Sequence, residues 1–135
     1  IMELAYLDLV EKALKISPDI RFATVCNMLG EVKFSKHRKN TKNLLTHRES
    51  LKSIESATRS WSVRNEFASK IGKGEYVIAQ YGKIARIAIP LDKKHLLYMT
   101  TTKNADHIKI AKKAAKLKLG KIKKTTKSRE KLSAP

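Results

Sequence analysis

The chain has 135 residues, of which 41% are hydrophobic and 31% charged, so it has room for one domain that buries a core without disulfides or metals. Thirty lysine and arginine residues against twelve acids give a net charge of +18, which favours a polyanionic partner. The single cysteine, Cys26, excludes an intramolecular disulfide and a multi-cysteine zinc site, and it favours a reducing, cytoplasmic setting.

The first predicted element is a helix over residues 2–16. Its apolar side chains recur at steps of three and four residues, at Leu4, Leu7, Val10 and Leu14. Ser17-Pro18-Asp19 ends it, because proline lacks an amide proton and restricts its predecessor. No apolar run is long and uninterrupted enough for a membrane span, and the acidic start lacks the pattern of a secretory signal.

Two β-rich segments follow, at residues 20–29 and 32–36, and they predict a β-hairpin with its turn near residues 27–31. Cys26 has apolar neighbours, which indicates a small buried side chain rather than a reactive thiol. The polar and basic stretch at residues 37–43 predicts a loop.

The next helix is predicted over residues 47–71. Thr46 and Glu49 form a capping box at its start, and Gly72 and Gly74 end it. Its apolar stripe, which should pack across a sheet, contains Leu51, Ile54, Ala57, Trp61, Ala68 and Ile71. We therefore expect Trp61 to be a core residue.

Three strands then follow at residues 75–80, 83–89 and 94–101, and their short linkers predict an antiparallel meander. The nearly continuous apolar run around Ile87 is typical of a central strand covered on both faces. A last helix is predicted from Asn104 and Asp106 to about Leu119, with Ile108, Ala111, Ala115 and Leu119 on its apolar side. We expect residues 1–120 to form one α+β domain and residues 121–135 a basic tail.

The order α-β-β-α-β-β-β-α resembles the roadblock and longin group of profilin-like domains, in which a five-stranded antiparallel sheet carries helices on its faces. The segments Ile20-Arg21-Phe22, Gly30, 61–67, 84–91 and 96–98 are similar to those of an archaeal family of such domains, and the resemblance covers residues 4–117. Roadblock-type domains typically act as homodimeric or heterodimeric scaffolds and regulators of small GTPases or motors. The resemblance therefore implies a non-enzymatic binding module, a homodimer or a protein partner, and no cofactor.

The charge is concentrated at the C-terminal end. Residues 103–135 contain twelve basic side chains and two acids, which is +10 of the total +18. The predicted polyanion-binding residues there are Lys109, Lys112, Lys113, Lys116, Lys118, Lys121, Lys123, Lys124, Lys127 and Arg129. A second basic group comprises Lys36, Arg38, Lys39 and Lys42, for which a solvated loop is the alternative. Interleaved aromatic residues are absent, so contacts with DNA or RNA should be made to phosphates with little sequence preference.

No stretch has the spacing of a catalytic, metal or cofactor site. The four histidines are scattered, and Gly72-Lys73-Gly74 lacks the Gly-Lys-Ser/Thr ending of a phosphate-binding loop. The first hypothesis is a dimeric scaffold or regulatory module with a lysine-rich C-terminal arm that contacts polyanions. The alternative is a nucleic-acid-binding accessory protein, associated with chromatin or the ribosome.

Overall fold

The computed structural model describes residues 2–119. The predicted order of elements is confirmed over these residues. The bounds are α1 (Met2–Leu14), β1 (Ile20–Asn27), β2 (Val32–His37), α2 (His47–Glu66), α3 (Ala68–Ile71), β3 (Val77–Gln80), β4 (Ile84–Pro90), β5 (His95–Thr102) and α4 (His107–Ala114). No helix in this range combines the length and the apolar character that a bilayer crossing requires.

The five strands form a single sheet in the order β2-β1-β5-β4-β3, and every neighbouring pair is antiparallel. The predicted hairpin and the predicted meander are therefore both confirmed. The middle position is held by β5, which pairs with both β1 and β4. The strand predicted to be central, β4, lies one place from the edge, although it is still paired on both sides.

Helices α1 and α4 cover one face of the sheet. Ala5, Leu9, Val10 and Ala13 of α1 pack with Ile110, Ala111 and Ala114 of α4 and with strand residues such as Val25, Ile87, Leu97 and Met99. Helix α1 contacts β1 and β2, whereas α4 contacts β4, so the two helices lie over different halves of the sheet. Burial of these side chains removes most of their apolar surface from water, which is the main term that stabilises this layer.

Helix α2 covers the opposite face. Its Ile54 and Trp61 pack with Cys26, Ala88, Leu96 and Tyr98, and the predicted core positions of Cys26 and Trp61 are confirmed. The hydroxyl groups of Ser53 and Tyr98 lie 2.6 Å apart and join the helix to β5. The capping box is also confirmed, with Glu49 N donating to Thr46 Oγ1 and Thr46 N donating to Glu49 Oε1.

The turn of the hairpin depends on Asn27 and Gly30. Asn27 Oδ1 accepts hydrogen bonds from the backbone amides of Leu29 and Glu31, at 3.0 and 2.9 Å. Gly30 has φ +85°, which lies in the left-handed region, and a Cβ atom placed there would come 2.9 Å from Glu55 Cγ of α2. Both features require glycine at this position.

All three predicted helices are shorter than expected, and α1 ends at Leu14, two residues before its predicted end. The helix predicted over residues 47–71 is interrupted at Phe67, and only the short α3 follows; Ile71, placed on the apolar stripe, is 84% exposed. No side chain beyond Trp61 in α2 or in α3 is buried, so sheet packing does not support a longer helix there.

The last helix, α4, ends at Ala114, earlier than predicted. On its predicted apolar side, Ala111 and Leu119 are buried and Ala115 packs against the core. Ile108 is 56% exposed instead, and Ile110 and Ala114 are buried. Gly120, which was predicted to close this helix, and the predicted tail at residues 121–135 lie outside the described residues.

Candidate interaction surface

The two edges of the sheet differ in charge. Edge strand β2 carries Lys33 and Lys36, and its pairing with β1 is interrupted by a register shift between Val25 and Cys26. Lysines and bulges are the devices by which edge strands avoid pairing with another chain. Edge strand β3 has the sequence Val-Ile-Ala-Gln, with no charge and no proline. Of the two, β3 is the edge that is suited to pairing.

The side of α2 that faces this edge across a cleft also carries exposed apolar side chains. Ser56 and Ser60 of α2 face Val77 and Ala79 of β3 across a cleft. Val63 and Phe67 continue the same side of the helix at steps of three and four residues. Their side chains are 52% and 51% exposed. We call β3 together with Val63 and Phe67 the β3 surface.

The polyanion-binding residues predicted at the C-terminal end are exposed where they fall in the described range. These are Lys109, Lys112, Lys113, Lys116 and Lys118, on α4 and just after it. The ion pairs found among the described residues do not involve them. Lys121, Lys123, Lys124, Lys127 and Arg129 lie outside the described residues, so their proposed contacts remain a prediction.

The second basic group is partly engaged within the fold. Lys36 Nζ lies 3.3 Å from Glu11 Oε1 of α1. Arg38 donates from Nε to the Ile20 carbonyl at 2.7 Å and from Nη2 to the Ser17 carbonyl at 2.8 Å, and also to the Leu14 carbonyl at the end of α1. Lys39 and Lys42 are exposed. This group lies on the half of the sheet that α1 covers, away from α4, so the structure does not bring the two basic groups together.

The cleft between α2 and the β3–β4 pair has a volume of about 490 Å³. Three cationic side chains line it, Lys52 and Arg64 from α2 and Arg86 from β4. Arg86 Nη1 donates to the Tyr81 hydroxyl at 3.0 Å, and its guanidinium carbon lies 4.7 Å from the centre of the Tyr81 ring. Sequence reasoning missed this cleft. The available signal was a lone arginine inside the apolar run of β4, because a charged residue is seldom placed there without a partner.

No three His, Cys, Asp or Glu side chains among residues 2–119 are grouped in a way that could hold a metal ion. Cys26 is fully buried, and burial raises the pKa of its thiol to about 11, which suppresses the thiolate. His95 is held between Tyr6 and Asp92, and His107 Nε2 lies 3.3 Å from the Thr102 carbonyl.

Comparisons with solved structures identify the fold. The chain is similar to the gliding protein MglB from Thermus thermophilus, with 15% identity, 87% of each chain covered and a TM-score of 0.69. An MglB structure with a tetrameric arrangement gives 15% identity, 83% of this chain and 85% of that one, and a TM-score of 0.66. The roadblock/LC7 domain from Streptomyces avermitilis gives 13% identity, 87% and 94% coverage, and a TM-score of 0.65.

No protein-family model matches the chain, and no curated protein matches it significantly. At these identities the likeness concerns the fold. It agrees with the element order, the strand order and the helices on both faces of the sheet. The protein has the roadblock/LC7 fold, as the resemblance of its sequence indicated.

Proposed function

We propose that this protein is a non-enzymatic scaffold or regulatory module that forms a homodimer through the β3 surface. The observation that carries the proposal is the contrast between the two sheet edges, because β3 alone is uncharged and lies beside exposed apolar side chains. Pairing of β3 with β3 of a second copy would satisfy its free main-chain groups. The tetrameric arrangement of a structurally similar MglB supports assembly between copies. A cytoplasmic location is part of this proposal.

Sedimentation velocity at micromolar concentration tests the dimer. The wild-type protein should sediment as a dimer, and the double variant V63E/F67E should be monomeric, because two carboxylates would be brought into each half of an apolar interface. Leu29→Glu is the matched control. Leu29 is 80% exposed at the hairpin turn, far from β3 along the sheet, so this variant should remain dimeric. A wild-type monomer, or equal dissociation of both variants, would contradict the proposal.

A second function is favoured by the exposed lysines of α4. We propose that they and the C-terminal arm bind the phosphate backbone of nucleic acid, as a chromatin- or ribosome-associated protein would. If roughly six to eight lysines contact phosphates, affinity for a DNA or RNA duplex should fall about a thousandfold between 50 and 200 mM salt. The triple variant K112Q/K113Q/K116Q should bind more weakly and with a smaller salt slope.

The control for this second function removes the same charge elsewhere. Lys15, Lys70 and Lys83 are exposed and lie outside α4. The variant K15Q/K70Q/K83Q should therefore keep nearly the wild-type affinity in fluorescence anisotropy. If both triple variants lose affinity equally, net charge alone drives binding and α4 has no specific role. If the wild-type protein shows no salt-dependent binding, the scaffold function stands alone.

A further inference from the structure

Two neighbouring polar side chains, Arg86 and Thr100, lie at the cleft between α2 and β4, and of the two Arg86 lines it. Arg86 and Thr100 are directly opposite each other on β4 and β5. Thr100 shares a face with Tyr98, which bonds to α2, and Arg86 lines the same cleft. Among the residues that the structure describes, Arg86 Nε and Thr100 Oγ1 are the buried side-chain polar atoms that lack a hydrogen-bond partner. Native folds seldom leave such atoms unsatisfied, so the Arg86 side of the cleft has unused hydrogen-bonding capacity.

The guanidinium group of Arg86 is already positioned. The Tyr81 hydroxyl accepts from Nη1, and the Tyr81 ring stacks against the guanidinium plane at 4.7 Å. Little side-chain freedom remains to be lost when a ligand binds. A preorganised, partly desolvated guanidinium is the group that proteins commonly use for planar and bidentate recognition of oxyanions.

The charge balance of the cleft indicates the kind of oxyanion. Its lining includes three cations, Lys52, Arg64 and Arg86, and one acid, Glu49, so the net charge is +2. The Glu49 carboxylate already accepts a hydrogen bond from the Thr46 amide. A phosphate monoester carries between about −1.5 and −2 charge at neutral pH, which matches this balance better than one carboxylate does.

Hydroxyl groups supply further donors on both sides of the cleft. Ser53, Ser56 and Ser60 lie on the helical side, and Tyr81 and Tyr98 on the strand side. The volume of about 490 Å³ falls within the usual range for small-molecule sites and exceeds that of a bare phosphate ion. We propose that this cleft binds the phosphate group of a small phosphorylated molecule, with Arg86 as the main contact. The cleft is complete within one chain, but Val77 and Ala79 of the β3 surface also line it. The binding experiments therefore compare the wild-type protein with the V63E/F67E variant, whose substituted residues do not line the cleft, so that occlusion by a second copy is distinguished from lack of binding.

The direct test follows the Arg86 Nε–H signal by NMR in the full-length protein at constant ionic strength. Inorganic phosphate and glycerol phosphate are the probes, and acetate is the comparison. Both phosphates should shift this signal saturably, and acetate should do so more weakly. A signal that is already protected from exchange and unchanged by phosphate would show that bound water satisfies Nε, and would overturn the proposal.

Three variants separate the cleft from the general positive charge. Arg86→Gln should weaken phosphate binding by about tenfold to a hundredfold, the usual value for a charge-assisted contact. Arg59→Gln is its control, because Arg59 is exposed on α2, the helix that borders the cleft, and does not line the cleft itself. Ser60→Asp, at an exposed position, should weaken binding as strongly by placing a carboxylate at the site. Equal losses in R86Q and R59Q, or unchanged affinity in S60D, would overturn the proposal even if R86Q folds poorly.

Discussion

The Tyr6 hydroxyl and His95 Nε2 lie 3.1 Å apart and join α1 to the first residue of β5, 89 positions later in the chain. His95 Nδ1 lies 2.9 Å from Asp92 Oδ1 in the preceding turn. A carboxylate only accepts hydrogen bonds, so Nδ1 of His95 donates to Asp92. The three side chains connect α1, the β4–β5 turn and the middle strand.

Substitution of Asp92 by Asn should destabilise the fold by about 1 kcal/mol at neutral pH. Burial raises the pKa of Asp92, but hydrogen bonds from the Lys94 amide and His95, together with the charge of His95, lower it more, so the net pKa is below its usual value. A lowered pKa contributes stability above the unfolded-state value, and that stability is lost as the pH falls through the folded-state value. Urea unfolding should therefore show a difference between wild type and D92N that shrinks below about pH 4. A difference independent of pH would contradict this assignment.

Arg38 should matter for stability rather than for binding. Its guanidinium group satisfies the carbonyls of Leu14, Ser17 and Ile20, where α1 turns into β1. Arg38→Ala should lower the free energy of unfolding by about 2 kcal/mol, because these carbonyls lose a charged donor. Arg38→Lys should restore little, since an ammonium group cannot reproduce the planar fork. Lys39→Ala, at an exposed neighbour, is the control. Unchanged stability in R38A would show that water replaces the guanidinium.

Gly30→Ala should destabilise the protein by about 1–2 kcal/mol, because the left-handed conformation is unfavourable for alanine and its Cβ atom would approach Glu55. Gly82→Ala is the matched control. Gly82 has no atom within 4 Å of an added Cβ and no positive φ, so its substitution should be nearly neutral. Thermal unfolding of both variants measures the difference. Equal melting temperatures would mean that the turn relaxes at little cost.

Cys26 should be unreactive in the folded protein. With a pKa of about 11 and full burial, the thiolate fraction at pH 8 is about a thousandth, and reagent access is blocked. Labelling by a thiol-specific reagent should be slow under native conditions and fast in denaturant. Labelling of the native protein at the rate of a free thiol would contradict the burial of β1 beneath α2.

Several features were predictable because their signals are local. The capping box of Thr46 and Glu49 depends on two residues three positions apart, and the hairpin turn depends on Asn27 and Gly30. The break at Phe67 was not predictable, because the spacing of Ala68 and Ile71 continues the helical pattern. Nothing in that spacing shows that the sheet no longer lies beneath the helix.

The features of the candidate sites likewise divide into those with local sequence signals and those that depend on distant contacts. The lysines of α4 were visible in the charge pattern of the sequence. The cleft was not visible, because Arg86 and Thr100 are distant in sequence and become neighbours only through the register of β4 and β5. The positive charge of Arg38 predicted a contact with polyanions, but its guanidinium group donates to backbone carbonyls where α1 turns into β1. These carbonyls are distant from Arg38 in sequence, so the sequence does not reveal them.

Residue order alone specified the succession of helices and strands, the hairpin turn and the concentration of positive charge, since these depend on near neighbours and on composition. Folding in three dimensions placed Ile110 rather than Ile108 of α4 in the core, and it left the uncharged strand β3 at an edge of the sheet. It also set Arg86 directly opposite Thr100 on the neighbouring strand. These features arise from contacts between segments far apart in the chain. Helical and strand periodicities restrict such contacts without choosing among them.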